Sequence, residues 1–137
     1  MSTILVVEDD LDLRDTLQQF LELAGFTIQV ADGGRQALQL VHVSTLDLVI
    51  TDLIMEDLDG LSLIRHLRAN HPAIKIIAIS GGGLVPPASY LATARALGAH
   101  ATFAKPLPFT ELVDTVKRLL KGNGSEAPLK QSEDPLL

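Results

Sequence analysis

An α/β domain, with a five-stranded parallel sheet covered by helices on both faces, is the fold class this sequence predicts. Three observations predict it. Short β-branched apolar runs alternate five times with stretches of helical period. The runs are almost wholly apolar, as strands buried on both faces must be. Each run ends in polar or charged residues, where an open parallel sheet gathers its reactive groups.

The elements follow in order. Ile4-Leu5-Val6-Val7 is the first strand. Leu13, Leu17, Phe20, Leu21 and Ala24 recur at helical spacing, with Asp10 as a candidate N-cap and Gly25 as the stop. Thr27-Ile28-Gln29-Val30 is the second strand, and Ala37, Leu40 and Val41 mark the second helix. Leu48-Val49-Ile50 is the third strand and runs into Thr51-Asp52. Leu63, Ile64 and Leu67 give the third helix, closed by Asn70-His71-Pro72, with Asp57 and Asp59 assigned to loop geometry and capping. Ile74 to Ile79 is the fourth strand. The fourth helix runs from Ala88 to Leu97, after Pro86-Pro87, and Gly98 stops it. Ala101 to Ala104 is a short fifth strand, and Phe109, Leu112, Val113, Val116, Leu119 and Leu120 stripe an amphipathic last helix. Right-handed crossovers at this size favour the flavodoxin-like (βα)5 order 2-1-3-4-5. Residues 1–121 read as one domain. Residues 122–137, GNGSEAPLKQSEDPLL, read as a flexible tail, because Gly, Pro, Ser and charge occur there without period.

Composition excludes several classes. At 137 residues and 47% hydrophobic, the chain suits a single core rather than wholesale disorder. The absence of cysteine removes disulfides and thiolate chemistry. No apolar run approaches the roughly 18 to 20 residues that span a bilayer, and MSTILVVEDD turns acidic where a signal peptide would stay apolar. A cytoplasmic protein without a membrane partner is expected. The formal charge of −6 argues against nucleic acid as a partner, which needs a basic patch. His42, His66, His71 and His100 share no metal-ligand spacing and are read as surface residues.

The strand ends carry the chemistry. The first ends at Glu8-Asp9-Asp10, the third at Thr51-Asp52, the fourth at Ser80-Gly81 and the fifth at Lys105-Pro106. Strands 1 and 3 are neighbours where the strand order reverses, so Glu8, Asp9 and Asp52 should converge. Two carboxylates at about 4 Å repel by on the order of 4 kcal/mol at an effective dielectric near 20. Lys105 offsets part of this, and a hard divalent cation with oxygen ligands, Mg²⁺ or Mn²⁺, is the natural remainder. A carboxylate needs no general base to act as a nucleophile, and carboxylates form acyl phosphates. Ser80 and Lys105 would then stabilise the oxygens of a transferring phosphoryl group.

VVEDD, TDLIMEDLDG, ISGG and GAHATFAKP together resemble the receiver domain of bacterial two-component response regulators, over roughly residues 3–121. The resemblance implies roles. Asp52 is the phosphoacceptor. Asp9 is a direct Mg²⁺ ligand, Glu8 acts through water, Asp52 contributes an oxygen and the main-chain carbonyl of Ile54 is a further ligand. Ser80 and Lys105 bind the phosphoryl group, and Lys105-Pro106 is a candidate cis peptide. A sensor histidine kinase or histidine phosphotransfer protein is the implied donor. A downstream protein would dock on the helix 4–strand 5–helix 5 face, with the chain monomeric or dimerising on phosphorylation. Such a protein is a phosphoacceptor and weak autophosphatase, not a turnover enzyme. With no output domain in the sequence, a stand-alone receiver is expected.

Some positions depart from the family pattern. Glu56 stands where a proline is usual, which should loosen the loop after the third strand. Thr102 stands where an aromatic switch residue is frequent, with Phe103 beside it facing inward. Residues 81–87, GGGLVPP, make a lengthened loop beside the site. Other functions remain open at this point. A pseudo-receiver would bind partners without phosphorylation. An aspartyl-phosphate phosphohydrolase would place its nucleophile on the first strand, with a second aspartate where Ile54 stands. An FMN protein would need a hydroxyl-rich phosphate loop after the first strand.

Overall fold

The computed structural model describes residues 2–81 and 87–121. Residues 82–86 of the expected long loop and the expected tail 122–137 lie outside the described residues. The element order is β1 (Thr3–Val7), α1 (Leu11–Leu23), β2 (Thr27–Ala31), α2 (Gly34–Val43), β3 (Leu48–Asp52), α3 (Gly60–Asn70), β4 (Lys75–Ser80), α4 (Pro87–Leu97), β5 (Ala101–Ala104) and α5 (Phe109–Lys121). All pairings are parallel, and the order is β2-β1-β3-β4-β5, as expected.

Apolar strands divide their side chains between two cores, because successive residues point to opposite faces. Leu5, Val7, Val49, Ile76 and Ala78 pack with Ala37 and Val41 of α2, Leu63, Ile64 and Leu67 of α3 and Ala94 of α4. Ile4, Val6, Leu48, Ile50, Ile77 and Ile79 pack with Leu17 and Leu21 of α1 and Leu112 and Val116 of α5. Every residue of β3 is buried. Burying one such Ile or Leu side chain contributes about 1.5–3 kcal/mol, so a one-residue slip of β3 would exchange its two faces and bring Thr51 and Asp52 out of register. The register sets Val7 beside Thr51 and Asp52 beside Ile79.

Local signals place the helix ends. The Asp10 carboxylate accepts from the Asp12 and Leu13 N–H groups and caps α1. Gly25, with φ 101°, and Gly98, with φ 123°, follow α1 and α4 in the left-handed region that a side chain would strain. Strand β4 runs one residue later than the apolar run suggests. The Ser80 carbonyl accepts from the Lys105 N–H at 2.9 Å, which extends the pairing with β5 to the rim.

The reading of four unrelated surface histidines fails at all but one side chain. His42 is exposed, but His66, His71 and His100 are half-buried. The Nδ1 of His100 accepts from the Ile76 N–H at 3.0 Å, and the His100 N–H donates to the Ile76 carbonyl at 2.8 Å. Burial, followed by the charges of Lys75 and Arg68, pushes the His100 imidazole down to about 4. His42, His66 and His71 form one cluster, with ring centres 5.9, 6.2 and 6.0 Å apart. Sequence spacing hid it because α2 and α3 pack side by side.

Candidate functional site

Four strands deliver the expected residues to one rim. Glu8 and Asp9 follow β1, Asp52 ends β3, Ser80 ends β4, and Lys105 follows β5. Glu8 and Ser80 are fully buried, Asp52 is 4% exposed, and Asp9 is exposed. One ligand oxygen from each of Glu8, Asp9 and Asp52 lies within 4.8 Å of the others.

Lys105 closes the cluster from the far side. Its Nζ donates to Asp52 Oδ2 at 3.2 Å and stands 3.0 Å from Glu8 Oε1. The contact with Glu8 is an ion pair. Glu8 Oε2 accepts from the Asp10 N–H at 3.1 Å. Burial, and then the charge of Asp52, pushes the Glu8 carboxyl up to about 7. Burial alone would lower the Lys105 ammonium, but Asp52 and Glu8 outweigh it and hold it above its ordinary value. Close packing brings the lysine here. A Cβ on Gly81 would stand 2.6 Å from the Lys105 Cβ, so the β4 terminus and the lysine meet only over a glycine. The Lys105–Pro106 peptide is cis, as expected.

The donor set fits Mg²⁺. Three carboxylates face one ammonium, which leaves a formal excess of two negative charges at an oxygen-lined site, and a hard cation bound by few carboxylates with several waters suits it. Among the described residues the buried Ser80 Oγ has no hydrogen-bond partner, as a group awaiting a ligand would be.

The remaining predicted positions are placed less tightly. Ile54 is 38% exposed, and its N–H donates to Asp52 Oδ1 at 3.4 Å, a long bond. Thr102 pairs with Ala78 and so shares its sheet face, toward α4, whereas Phe103 pairs with Ile79 and packs against the α1–α5 core. No aromatic side chain of β5 therefore stands on the α4 side.

One role escaped the sequence. Gly33 precedes α2 and offers no capping side chain. Asp57 supplies it from the β3–α3 loop, its two oxygens accepting from the Gly34 and Arg35 N–H groups, each at 3.1 Å. These bonds, the one from Arg35 foremost, hold the Asp57 carboxyl below the usual range. Asp59 caps α3, accepting from the Ser62 N–H at 2.8 Å. The loop bearing Glu56 is thus tied at Asp57 and at Asp59, and its start is tied by the Leu53 N–H donating to the Ile79 carbonyl at 3.0 Å.

Comparison with known proteins places this geometry. Residues 4–117 match the family described as response regulator receiver domain. The chain is 35% identical over 116 residues to the C4-dicarboxylate transport transcriptional regulatory protein DctD of Rhizobium meliloti, covering 85% of this chain and 25% of that protein. It is 35% identical over 125 residues to the sensor kinase CckA of Brucella abortus, covering 88% of this chain and 13% of that one. The chain thus spans a quarter or less of the length of these two relatives. Among solved structures, the response regulator protein TrrA of Thermotoga maritima, in complex with Mg²⁺-BeF, is 31% identical with a TM-score of 0.78, covering 88% of this chain and 100% of that one. A CheY-like receiver from Methanospirillum hungatei, at 23% identity and a TM-score of 0.82, covers 90% of this chain and 97% of its own, and shares the fold.

Proposed function

This chain belongs to the family of response regulator receiver domains, and on that footing we propose that Asp52 accepts a phosphoryl group from a phosphohistidine donor in two-component signalling. The observation that carries the proposal is a nearly buried Asp52 held between the Lys105 ammonium, at 3.2 Å, and the carboxylates of Glu8 and Asp9. Glu8 (through a water), Asp9, Asp52 and the Ile54 carbonyl would hold Mg²⁺ or Mn²⁺. When bound, the cation neutralises charge on the phosphoryl oxygens.

The chain's own groups do the rest. A carboxylate oxygen of Asp52 attacks phosphorus as the P–N bond to the donor imidazole breaks. The imidazole leaves with that electron pair, and an acyl phosphate remains on Asp52. Lys105, now beside the new phosphoryl oxygens, stabilises their charge. The buried Ser80 hydroxyl, without a partner among the described residues, donates to one of them. Phosphorylation then biases two conformations that partners distinguish. The α4–β5–α5 face is the proposed surface for a downstream partner, and a sensor histidine kinase or phosphotransfer protein is the proposed donor. The protein acts as a phosphoacceptor that slowly loses its phosphate, not as a turnover enzyme.

The test is incubation with acetyl phosphate or phosphoramidate and Mg²⁺, read by intact mass. Wild type is expected to gain one phosphoryl group and Asp52→Asn none. Equal gain by Asp52→Asn would sink the assignment.

A further inference from the structure

We propose that Asp57 is a positioning residue for the cation site at the rim: by tying the β3–α3 loop to the first turn of α2, it holds the loop that would present the Ile54 carbonyl to the ion. The proposal rests on the metal reading given above. It adds to that reading a side chain that is not itself a ligand, and an element, α2, that supplies none.

Residues 53–59 join β3 to α3. The ends of this loop are fixed. The Leu53 N–H donates to the Ile79 carbonyl and the Gly60 N–H to the Leu53 carbonyl, each at 3.0 Å, and Asp59 caps α3. Its middle is held less firmly. Ile54 and Glu56 are exposed, and Glu56 leaves free the φ that a proline would lock. Met55 packs its side chain into the core against α2 and α3. The direction of the Ile54 carbonyl depends on the ψ of Ile54 and the φ of Met55, which a buried side chain alone does not set.

Asp57 supplies the missing restraint. Its Oδ1 accepts from the Gly34 N–H and its Oδ2 from the Arg35 N–H, each at 3.1 Å. Oδ1 also accepts from the Leu58 N–H at 2.7 Å. Charge-assisted bonds at the positive end of a helix are among the stronger ones. The close approach is built into α2. A Cβ on Gly34 would stand 2.7 Å from the Leu58 main-chain oxygen, and one on Gly33 would stand 2.8 Å from Asp57 Oδ1. Two adjacent glycines therefore lie where the loop docks.

Three residues of chain span at most about 11 Å, so fixing Asp57 restricts where the Ile54 carbonyl can point. Ordering a loop at the moment of binding costs conformational entropy. Here the ordering precedes the ion. Coupling between binding and order is reciprocal, so an ion held at the rim should in turn tighten the first turn of α2.

The experiment measures Mg²⁺ binding to the full chain by calorimetry in wild type, Asp57→Ala and Gly34→Ala, each shown folded by circular dichroism. Hydrogen exchange follows the amides of residues 34 and 35 with and without Mg²⁺. Asp57→Ala is expected to weaken Mg²⁺ binding about tenfold, as loss of a group that orients a ligand does. Gly34→Ala removes no charge, yet its methyl group displaces the loop, and it is expected to weaken binding as well. Mg²⁺ should slow exchange at both amides in wild type and not in Asp57→Ala. Wild-type affinity in Asp57→Ala would overturn the proposal. So would wild-type affinity in Gly34→Ala, which would leave Asp57 acting by charge alone, or α2 amides indifferent to Mg²⁺ in wild type. These three outcomes leave the metal reading standing, whereas a wild type that binds no Mg²⁺ would remove both.

Discussion

Lys105 stands 3.0 Å from the buried carboxylate of Glu8 although 97 positions separate them, and its ammonium is what Glu8 and Asp52 share. Its position beside both Glu8 and Asp52 makes it a brake on their repulsion, and under the proposed function it would also meet the phosphoryl oxygens.

Lys105→Met removes both services. The variant should still fold, since the lysine is at the rim and not in either core. Phosphoryl uptake from acetyl phosphate should slow by about 10²-fold, the usual cost of deleting one charge-stabilising donor. Intact mass against time measures this, and an unchanged rate would remove Lys105 from the chemistry.

Glu8→Gln should stabilise the metal-free protein and blunt its response to Mg²⁺. The Glu8 carboxyl is raised from 4.5 to about 7. A raised carboxyl contributes stability below its unfolded value, and that contribution is lost as pH rises through the folded value. At pH 8 with chelator, ionised Glu8 therefore opposes folding, by on the order of 2 kcal/mol. Thermal melts at pH 8 should show the Gln variant higher without Mg²⁺ and nearly insensitive to its addition. A lower melting temperature without metal would count against the buried repulsion.

His100 gives the pH dependence of stability an acid limb of its own. Its imidazole is lowered from 6.5 to about 4, so between these values the unfolded chain binds the extra proton. Stability from this group is full above pH 6.5 and is lost as pH falls toward 4. The loss is on the order of 1–2 kcal/mol once screening of a half-exposed ring is allowed for. His100→Asn, whose side-chain carbonyl offers an acceptor to the Ile76 N–H, should flatten the melting temperature between pH 6.5 and 4.5. An unaltered slope would show that other groups set this limb.

Asp57→Ala should loosen α2 while leaving Asp52 reactive. Hydrogen exchange at the Gly34 and Arg35 amides should quicken, and the unfolding midpoint should fall. Unchanged protection would mean that water replaces the carboxylate without loss.

The rim was legible because strand ends are marked in the chain. Apolar runs fix the register, and register alone brings Asp52 beside Ile79 and the β1 acids beside β3. Gly25 and Gly98 announced the helix ends for the same local reason, since positive φ favours glycine. What stayed hidden was relational. Asp57 reads as a loop acid until the chain folds and sets it against amides 22 and 23 positions upstream. His100 and the three clustered histidines carry no periodic signature, because their partners lie on neighbouring elements. Glu56, where a proline was expected, is exposed, and nothing in the structure explains the choice.

The bonds from Asp57 also bear on which pieces of this chain are autonomous. A peptide of residues 34–43 begins with two glycine-flanked amides and carries no anion of its own to receive them. It is also shorter than the roughly 12–15 residues at which isolated helices become even marginal. Excised, it should be a coil. In the intact protein its first turn is borrowed from a loop that enters the chain after β3, so a circular permutant opened between α2 and β3 would inherit a helix whose cap now arrives from the opposite direction.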